Sequence, residues 1–402
     1  MTIPTTTPAP KRLMFIVNDL PFFLSHRKRL ATAAKEAGYH VSIACPQDPA
    51  IPSLAEEGFT ILPLKMRRGS PSFAAEWHAF RSVWQAIRQF RPDALHLIAS
   101  KPVIYGGLAA RILRIPTLSA ISGLGYVFTG QTLRQRILRP AVTKAYGMSV
   151  NRAGSHVLFQ NETDLALFRK AGLLSKAQVS IIPGSGVDLD RIRPAPLPEG
   201  VPVVLLPARM LRDKGVLDFV AAARLLRAQG VDAVFRLLGN PDPMNPTSLT
   251  RDELEAVSSD GCVEWQPHTN DISAALAKAH LVALPSYYRE GLPKTLIDAA
   301  AAGRAVATSD LPGCRDAIVP GETGELFKAH DASDIARVIG GMLSDTKRLD
   351  RMGAAARRHA EATFDIRSVV YKHLEIYGDL LTRRGNVGAR QSLASTSKRP
   401  SP

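Results

Sequence analysis

Cysteine is scarce in this sequence: Cys45, Cys262 and Cys314 are three among 402 residues, far apart, with no CxxC pair and no Cys/His ligand spacing. That excludes a disulfide scaffold and a cysteine-based metal site, and leaves reduced, structural thiols. Long apolar runs are missing too. No stretch reaches the roughly 18 apolar residues of a spanning helix. Pro4, Pro8 and Pro10 precede the short apolar run Leu13 to Val17, which reads as a buried strand and not as a secretory core. The chain is therefore expected to stay in the cytoplasm. Acid is sparse in one half only: residues 1–190 hold 23 Lys/Arg against 11 Asp/Glu, a surplus of twelve out of the net +15. Such a field draws phosphates, nucleic acid or an anionic lipid surface, or simply keeps the chain soluble. No recognition helix or aromatic sheet face accompanies it, so nucleic acid is not expected as a partner.

What is present is ordinary globular composition, with 45% hydrophobic and 22% charged residues. At this length two cores are the starting expectation. Short apolar runs alternate with helix-length amphipathic segments, which predicts α/β architecture with parallel sheets. Strands are expected at 13–17, 41–45, 60–64, 94–98, 117–121, 156–159 and 179–182, and one helix over Ser25 to Ala37. Four prolines within Arg193 to Pro202 interrupt the pattern, after which it restarts with strands at 203–207, 234–238, 262–265, 281–285 and 305–309. The expected organisation is a disordered 1–12, a first domain 13–190 completed by a helix 366–382, a linker 191–202, a second domain 203–365 and a disordered tail 383–402. Two such domains place the carboxyl ends of their sheets around one cleft, the usual ligand position in open α/β folds.

The segment Arg289-Glu290-Gly291-Leu292-Pro293-Lys294-Thr295-Leu296-Ile297-Asp298 follows an apolar strand and opens a helix. Gly291 permits close backbone approach, Pro293 suits the first helical position, and N–H groups at such an end favour phosphate. Glu290 and Asp298 supply carboxylates that suit vicinal sugar hydroxyls. Arg209 and Lys214 stand after another strand end and can offset the charge of a leaving diphosphate. Taken singly, each of these is equally an ordinary capped helix or a solvated surface cation. Gly123 and Gly125 follow the strand 117–121 without GxGxxG spacing. Aromatic and basic residues interleave from Tyr126 and Phe128 through Leu133, Arg134, Arg136, Ile137, Leu138 and Arg139, with Lys28, Arg29, Arg67 and Arg68 elsewhere in the same half. That mixture suits an anionic bilayer.

The run Glu290 to Asp298 resembles the paired-acid motif of the retaining family 4 glycosyltransferases, and Arg209 with Lys214 resembles that family's diphosphate pair. Ile16-Val17-Asn18, Ser25-His26-Arg27, Gly38-Tyr39-His40-Val41, Arg91-Pro92-Asp93, Lys101-Pro102, Gly123 to Phe128 and Pro183 to Asp190 extend the likeness over nearly the whole chain. They are similar to the capsule, O-antigen and lipid-linked oligosaccharide branch typified by CapM and PglA. The resemblance implies a GT-B fold, two Rossmann-like domains facing an interdomain cleft. It implies transfer, with retention, of a hexose or N-acetylhexosamine from a nucleotide-diphosphate sugar, with UDP the expected nucleotide. The acceptor it implies is a polyprenyl-diphosphate-linked saccharide at the inner face of the plasma membrane. Arg209, Lys214 and Glu290 are then catalytic, Gly291, Leu292, Thr295 and Asp298 complete the donor set, and Asn18, His26, Arg27, Lys101, Gly123 and Gly125 are the acceptor-side candidates. No cofactor or metal is implied. The string Asp188-Leu189-Asp190 matches a domain-junction element of the family, not a metal-binding acid pair.

Two positions depart from the family pattern. Asp298 stands where a glutamate is usual, one methylene shorter, which puts donor affinity in doubt. Ile98 stands where relatives carry a second histidine, and His96, pointing to the other strand face, is expected to be structural. These departures leave two other readings open: a catalytically silent nucleotide-sugar or lipid-binding subunit, and a nucleotide-sugar epimerase of the same fold.

Overall fold

The computed structural model describes residues 9–66, 72–121, 133–288 and 290–396, with backbone alone for 133–136, 138 and 383–396. The chain divides into two compact units, Met1–Ile181 with Val370–Pro402, and Ile182–Val369.

In the first unit the strands are β1 Arg12–Ile16, β2 His40–Pro46, β3 Thr60–Leu64, β4 Ala94–Ile98, β5 Thr117–Ile121, β6 Ser155–Phe159 and β7 Gln178–Ile181. They form one sheet in the order β3-β2-β1-β4-β5-β6-β7, and every pair is parallel. β4, β5 and β6 are buried at every position, as strands covered on both faces must be. The helices are α1 Leu20–His26, α2 Lys28–Glu36, α3 Ile51–Glu56, α4 Phe73–Phe90, α5 Ser100–Leu113, α6 Leu133–Val150 and α7 Glu162–Lys170. The single helix expected over Ser25 to Ala37 is two. Arg27 adopts φ −132° and ψ −11° between them, closing α1 through its amide to the Phe23 carbonyl, while its own side chain is buried.

The second unit repeats the pattern with β8 Val203–Pro207, β9 Val234–Leu238, β10 Val263–Gln266, β11 Leu281–Leu284, β12 Ala305–Ser309 and β13 Gly324–Phe327. Its order is β10-β9-β8-β11-β12-β13, again all parallel. α8 Val216–Ala228, α9 Arg251–Ser258, α10 Ile272–Ala277, α11 Lys294–Ala301, α12 Ala332–Leu343 and α13 Thr346–Thr363 connect and follow them, and α14 Ile366–Thr396 ends the described chain. Separate apolar clusters cover the two faces of this sheet.

Two boundaries differ from the sequence reading. The Pro-rich stretch is no free linker but is fastened to the second unit. The buried Arg304 donates to the Ala195 and Pro196 carbonyls at 2.8 and 3.0 Å, and Arg357 donates to Ile192 at 2.9 Å. Proline lacks an N–H but keeps its acceptor, and arginine supplies the donors a neighbouring strand would otherwise give. α14 continues to Thr396, so 383–396, expected to be disordered, is helical. Ala389, Arg390, Gln391, Leu393 and Ala394 are strong helix formers there, and no proline intervenes.

Candidate active site

β8 and β11 are hydrogen-bonded neighbours at the centre of the second sheet, in register at Leu281 with Val204 and Val282 with Leu205. The strand order reverses direction between them, which is where open α/β sheets usually take their ligands. One loop runs from Pro207 through Arg209 to the tight turn Arg212–Lys214, where Gly215 at φ +72° starts α8. A Cβ at Gly215 would overlap the Pro285 carbonyl, so the two loops approach as closely as backbone can. The second loop leads from Leu284 through Glu290 to Pro293, which caps α11 at φ −65° and ψ 122°. Pro293 is thus the residue before the first helical position and not that position itself, and Lys294 occupies it.

Hydrogen bonds fasten one loop to the other. The Asp213 carbonyl accepts from the amides of Tyr287 at 3.0 Å and Tyr288 at 3.3 Å, and Ser286 Oγ lies 3.2 Å from it. Thr295 Oγ1 donates to the Pro207 carbonyl at 2.7 Å, tying the first turn of α11 to the end of β8. Within this frame Lys214 Nζ lies 2.6 Å from Glu290 Oε2, the two side chains being 14% and 15% exposed. Ser286 Oγ donates to Glu290 Oε1 at 2.8 Å. Both carboxylate oxygens are therefore engaged, and the acid is fixed in direction. Gly313, at φ +83°, lies against the Glu290 and Gly291 carbonyls so closely that a Cβ would overlap them.

Arg209 takes a different partner: its Nη1 is 2.7 Å from Asp242 Oδ2, and its side chain is half exposed. Each member of the expected diphosphate pair is thus matched with its own carboxylate. Asp298, one turn into α11, is buried, and Lys294 Nζ holds its Oδ1 at 2.6 Å. Burial raises the Asp298 carboxyl above its ordinary value, while the charges of Lys294 and Arg191 pull it back. Cys314 is buried, its thiol pushed up to about 12 by burial and by the negative charge of Glu290.

The structure therefore joins Lys214 to Glu290, places Gly291, Leu292, Thr295 and Asp298 on the same loop and helix, and adds three residues that the motif reading missed. Lys294 was legible as a lysine four residues before an acid on a helix. Ser286 and Gly313 gave no such signal, since one acts by a hydroxyl and the other by lacking a side chain. Asp188 Oδ1 accepts the amides of Asp190 and Arg191, both at 3.1 Å, and so caps a turn.

The acceptor-side candidates fall in the first unit. Asn18 is half-buried just after β1. His26 Nδ1 sits 2.7 Å from Ser25 Oγ, and the ring stacks on Phe22 with centroids 4.1 Å apart. Arg27 is buried, its guanidinium lowered to about 10 by that burial. Lys101 Nζ pairs with Glu76 Oε1 at 2.6 Å. It follows Ala99, whose φ of +74° and ψ of 165° is backbone strain of about 1–3 kcal/mol at the mouth of β4. His96 is fully buried, its Nδ1 2.7 Å from the Tyr377 hydroxyl. Burial, then His373 and Arg27, hold it well below the usual imidazole range. Gly123 and Gly125 lie outside the described residues, as do Arg67, Arg68, Tyr126, Phe128, Arg289 and the side chains of Leu133, Arg134, Arg136 and Leu138.

Comparison with known proteins matches residues 12–161 to the family described as glycosyl transferase 4-like, and 189–359 to glycosyl transferases group 1. The chain is 27% identical to the N,N'-diacetylbacillosaminyl-diphospho-undecaprenol alpha-1,3-N-acetylgalactosaminyltransferase of Campylobacter jejuni, over 88% of this chain and 97% of that one. It is 23% identical to the UDP-Gal:alpha-D-GlcNAc-diphosphoundecaprenol alpha-1,3-galactosyltransferase of Escherichia coli, over 75% and 79% of the two chains. In fold it is similar to sucrose-phosphate synthase from Thermosynechococcus elongatus, with a TM-score of 0.77 at 20% identity over 93% of this chain and 100% of that one. With two parallel sheets, the β8 and β11 loops and both family matches in place, the chain belongs to the family 4 glycosyltransferases and has their GT-B fold.

Proposed function

We propose that this enzyme moves a hexose or N-acetylhexosamine from a UDP-sugar to a polyprenyl-diphosphate-linked saccharide, with retention at the transferred carbon, while resting on the inner face of a plasma membrane. The observation that carries the reading is the Lys214–Glu290 pair, 2.6 Å apart at the mouths of two adjacent parallel strands and one turn before α11. The names of the Campylobacter and Escherichia relatives, both acting on sugars linked to diphospho-undecaprenol, support the acceptor class, and the second supports UDP.

On this reading the donor diphosphate takes up Lys214 and Arg209 in exchange for their carboxylates and meets the start of α11. Glu290, released from the lysine but still held by Ser286, turns its acceptor capacity to the sugar hydroxyls. As the bond between the sugar carbon and the β-phosphate oxygen breaks, an acceptor hydroxyl adds from the same face, and its proton passes to the departing phosphate oxygen. Negative charge gathers on the diphosphate in that step. Two fixed cations and a helix N-terminus stabilise it without a divalent ion, so no metal or other cofactor is required. On this reading the chain's own membrane contact is peripheral; among the described residues no helix is long and apolar enough to cross a bilayer.

The test is transfer of labelled sugar from UDP-sugars into a membrane lipid extract, screened over several donors. Lys214→Ala and Arg209→Ala are each expected to lower turnover by about 10²–10³-fold, the effect of removing one preorganised charge stabiliser, with unfolding midpoints close to wild type. Near-normal transfer by both variants would end the proposal. Glu290→Gln should lose kcat as well; a change confined to the donor KM would make it a uniform binding residue.

A further inference from the structure

The outward edge of α4 carries an aromatic row whose outer members, Phe73 and Trp77, neither the core nor the donor site uses. Phe73, Trp77, Phe80 and Trp84 succeed one another at steps of four, three and four residues and so share one helix face. The core face of the same helix is Ala79, Val83, Ala86, Ile87 and Phe90. Phe73 is 88% and Trp77 56% exposed. The inner rings hold Trp77 in place: it lies 5.8 Å from Phe80 between centroids, Phe80 lies 6.4 Å from Trp84, and Phe80 meets Tyr105 of α5 edge-on at 6.2 Å. Leaving large rings in water forgoes roughly 1.5–3 kcal/mol of burial each, and an ordered row of them marks an interaction surface.

Charge selects the partner. Arg81 and Arg88 are exposed, each four residues after a tryptophan of the row, and neither has a hydrogen bond or ion pair among the described residues. The one acid of α4, Glu76, is occupied by Lys101 at 2.6 Å and by the Tyr105 hydroxyl. No free carboxylate on this helix repels an anion. The unit that contains α4 holds 29 Lys/Arg against 11 Asp/Glu, whereas the second unit holds 22 against 25.

We propose that this face of α4 docks on an anionic phospholipid bilayer, Phe73 and Trp77 entering the interface while Arg81 and Arg88 meet headgroup phosphates. Rings projecting from a convex helix suit a deformable surface that closes around them, and not the groove in which nucleic acid bases stack. The assignment rests on the peripheral-membrane part of the proposed function and names the surface responsible.

The experiment is flotation of the full chain with vesicles of phosphatidylcholine, with and without phosphatidylglycerol. Fluorescence is read in a Trp265→Phe background so that emission reports on Trp77 and Trp84. Wild type is expected to float only with the anionic vesicles, with a blue shift. The pair Phe73→Ser with Trp77→Ser should abolish the shift and weaken binding at least about tenfold, as should Arg81→Gln with Arg88→Gln, each basic contact being worth about 1 kcal/mol. Both pairs alter exposed side chains, so circular dichroism and transfer to a water-soluble acceptor should match wild type. If wild type binds and both pairs bind equally well, this face is not the dock although the membrane reading survives. If wild type ignores anionic vesicles, both fall. If a single-stranded oligonucleotide binds more tightly than the vesicles and competes them away, the partner is nucleic acid and the proposal is overturned.

Discussion

Asp298 is a carboxylate whose burial works against its charge. It is buried, and burial raises its pKa, so the folded chain keeps that proton above the pH at which the unfolded chain releases it. Ionising it therefore lowers stability as pH rises through that window. Lys294 opposes the effect from 2.6 Å, yet its position does nothing for the helix. A cation at the first helical residue opposes the macrodipole, and lysine four residues before an acid is the weaker order of that pair. The pair makes sense as a device that keeps Asp298 ionised for the donor. Lys294→Met should then leave kcat near wild type and raise the donor KM several-fold, increasingly as pH is lowered, because a protonated carboxyl loses acceptor capacity. Measuring donor KM against pH in both proteins decides it, and superimposable profiles would remove the positioning role. Glu290, Asp298, Arg209 and Lys214 were legible because their spacing is a motif. Lys294 was in the same string but carried no chemistry until the buried acid beside it was seen.

Elements were legible in proportion to their apolar content. Most strands of both sheets stand out as short runs rich in Val, Ile, Leu and Ala, whereas β13, Gly-Glu-Leu-Phe, escapes because it opens on glycine and holds no β-branched residue. The break between α1 and α2 was hidden for another reason: Arg27 is an acceptable helix residue, and its burial, a tertiary fact, sets the kink. The loop before α11 depends likewise on a residue remote in sequence. Gly313→Ala must place a methyl group against the Glu290 and Gly291 carbonyls at a positive φ, so about 1–3 kcal/mol of stability should be lost, together with at least about tenfold in kcat/KM, since displacing the positioned acid is costly. Gly341→Ala supplies the contrast. That glycine is exposed within α12 with nothing within 4 Å of an added Cβ, and alanine there should raise stability by up to about 1 kcal/mol without touching activity. Denaturant midpoints and initial rates for the two variants check both signs. Equal losses in the two would mean that the Gly313 contact does not set the loop.

For the whole molecule, charge divides along the same line as the fold, and under the proposed function the donor does too. A cut at residue 190 already assigns most of the basic surplus to the first half. The true asymmetry is greater, because 370–402 is counted with the first unit and 182–190 with the second, a regrouping that no local pattern announces. Each unit has its own apolar clusters, so unfolding need not be a single transition. A ligand stabilises only the part that binds it, by about 2.7 kcal/mol at a hundredfold excess over Kd. Since Arg209, Lys214, Glu290 and Asp298 all belong to Ile182–Val369, UDP should slow amide exchange in the 207–215 and 284–298 loops and in the sheet that carries them, and raise the unfolding temperature of that unit by several degrees. Exchange in β1 to β7 should be unaltered. Hydrogen exchange with and without UDP tests this directly: protection appearing first in the basic unit would move the donor diphosphate away from Lys214 and Glu290, whatever the activity assays report.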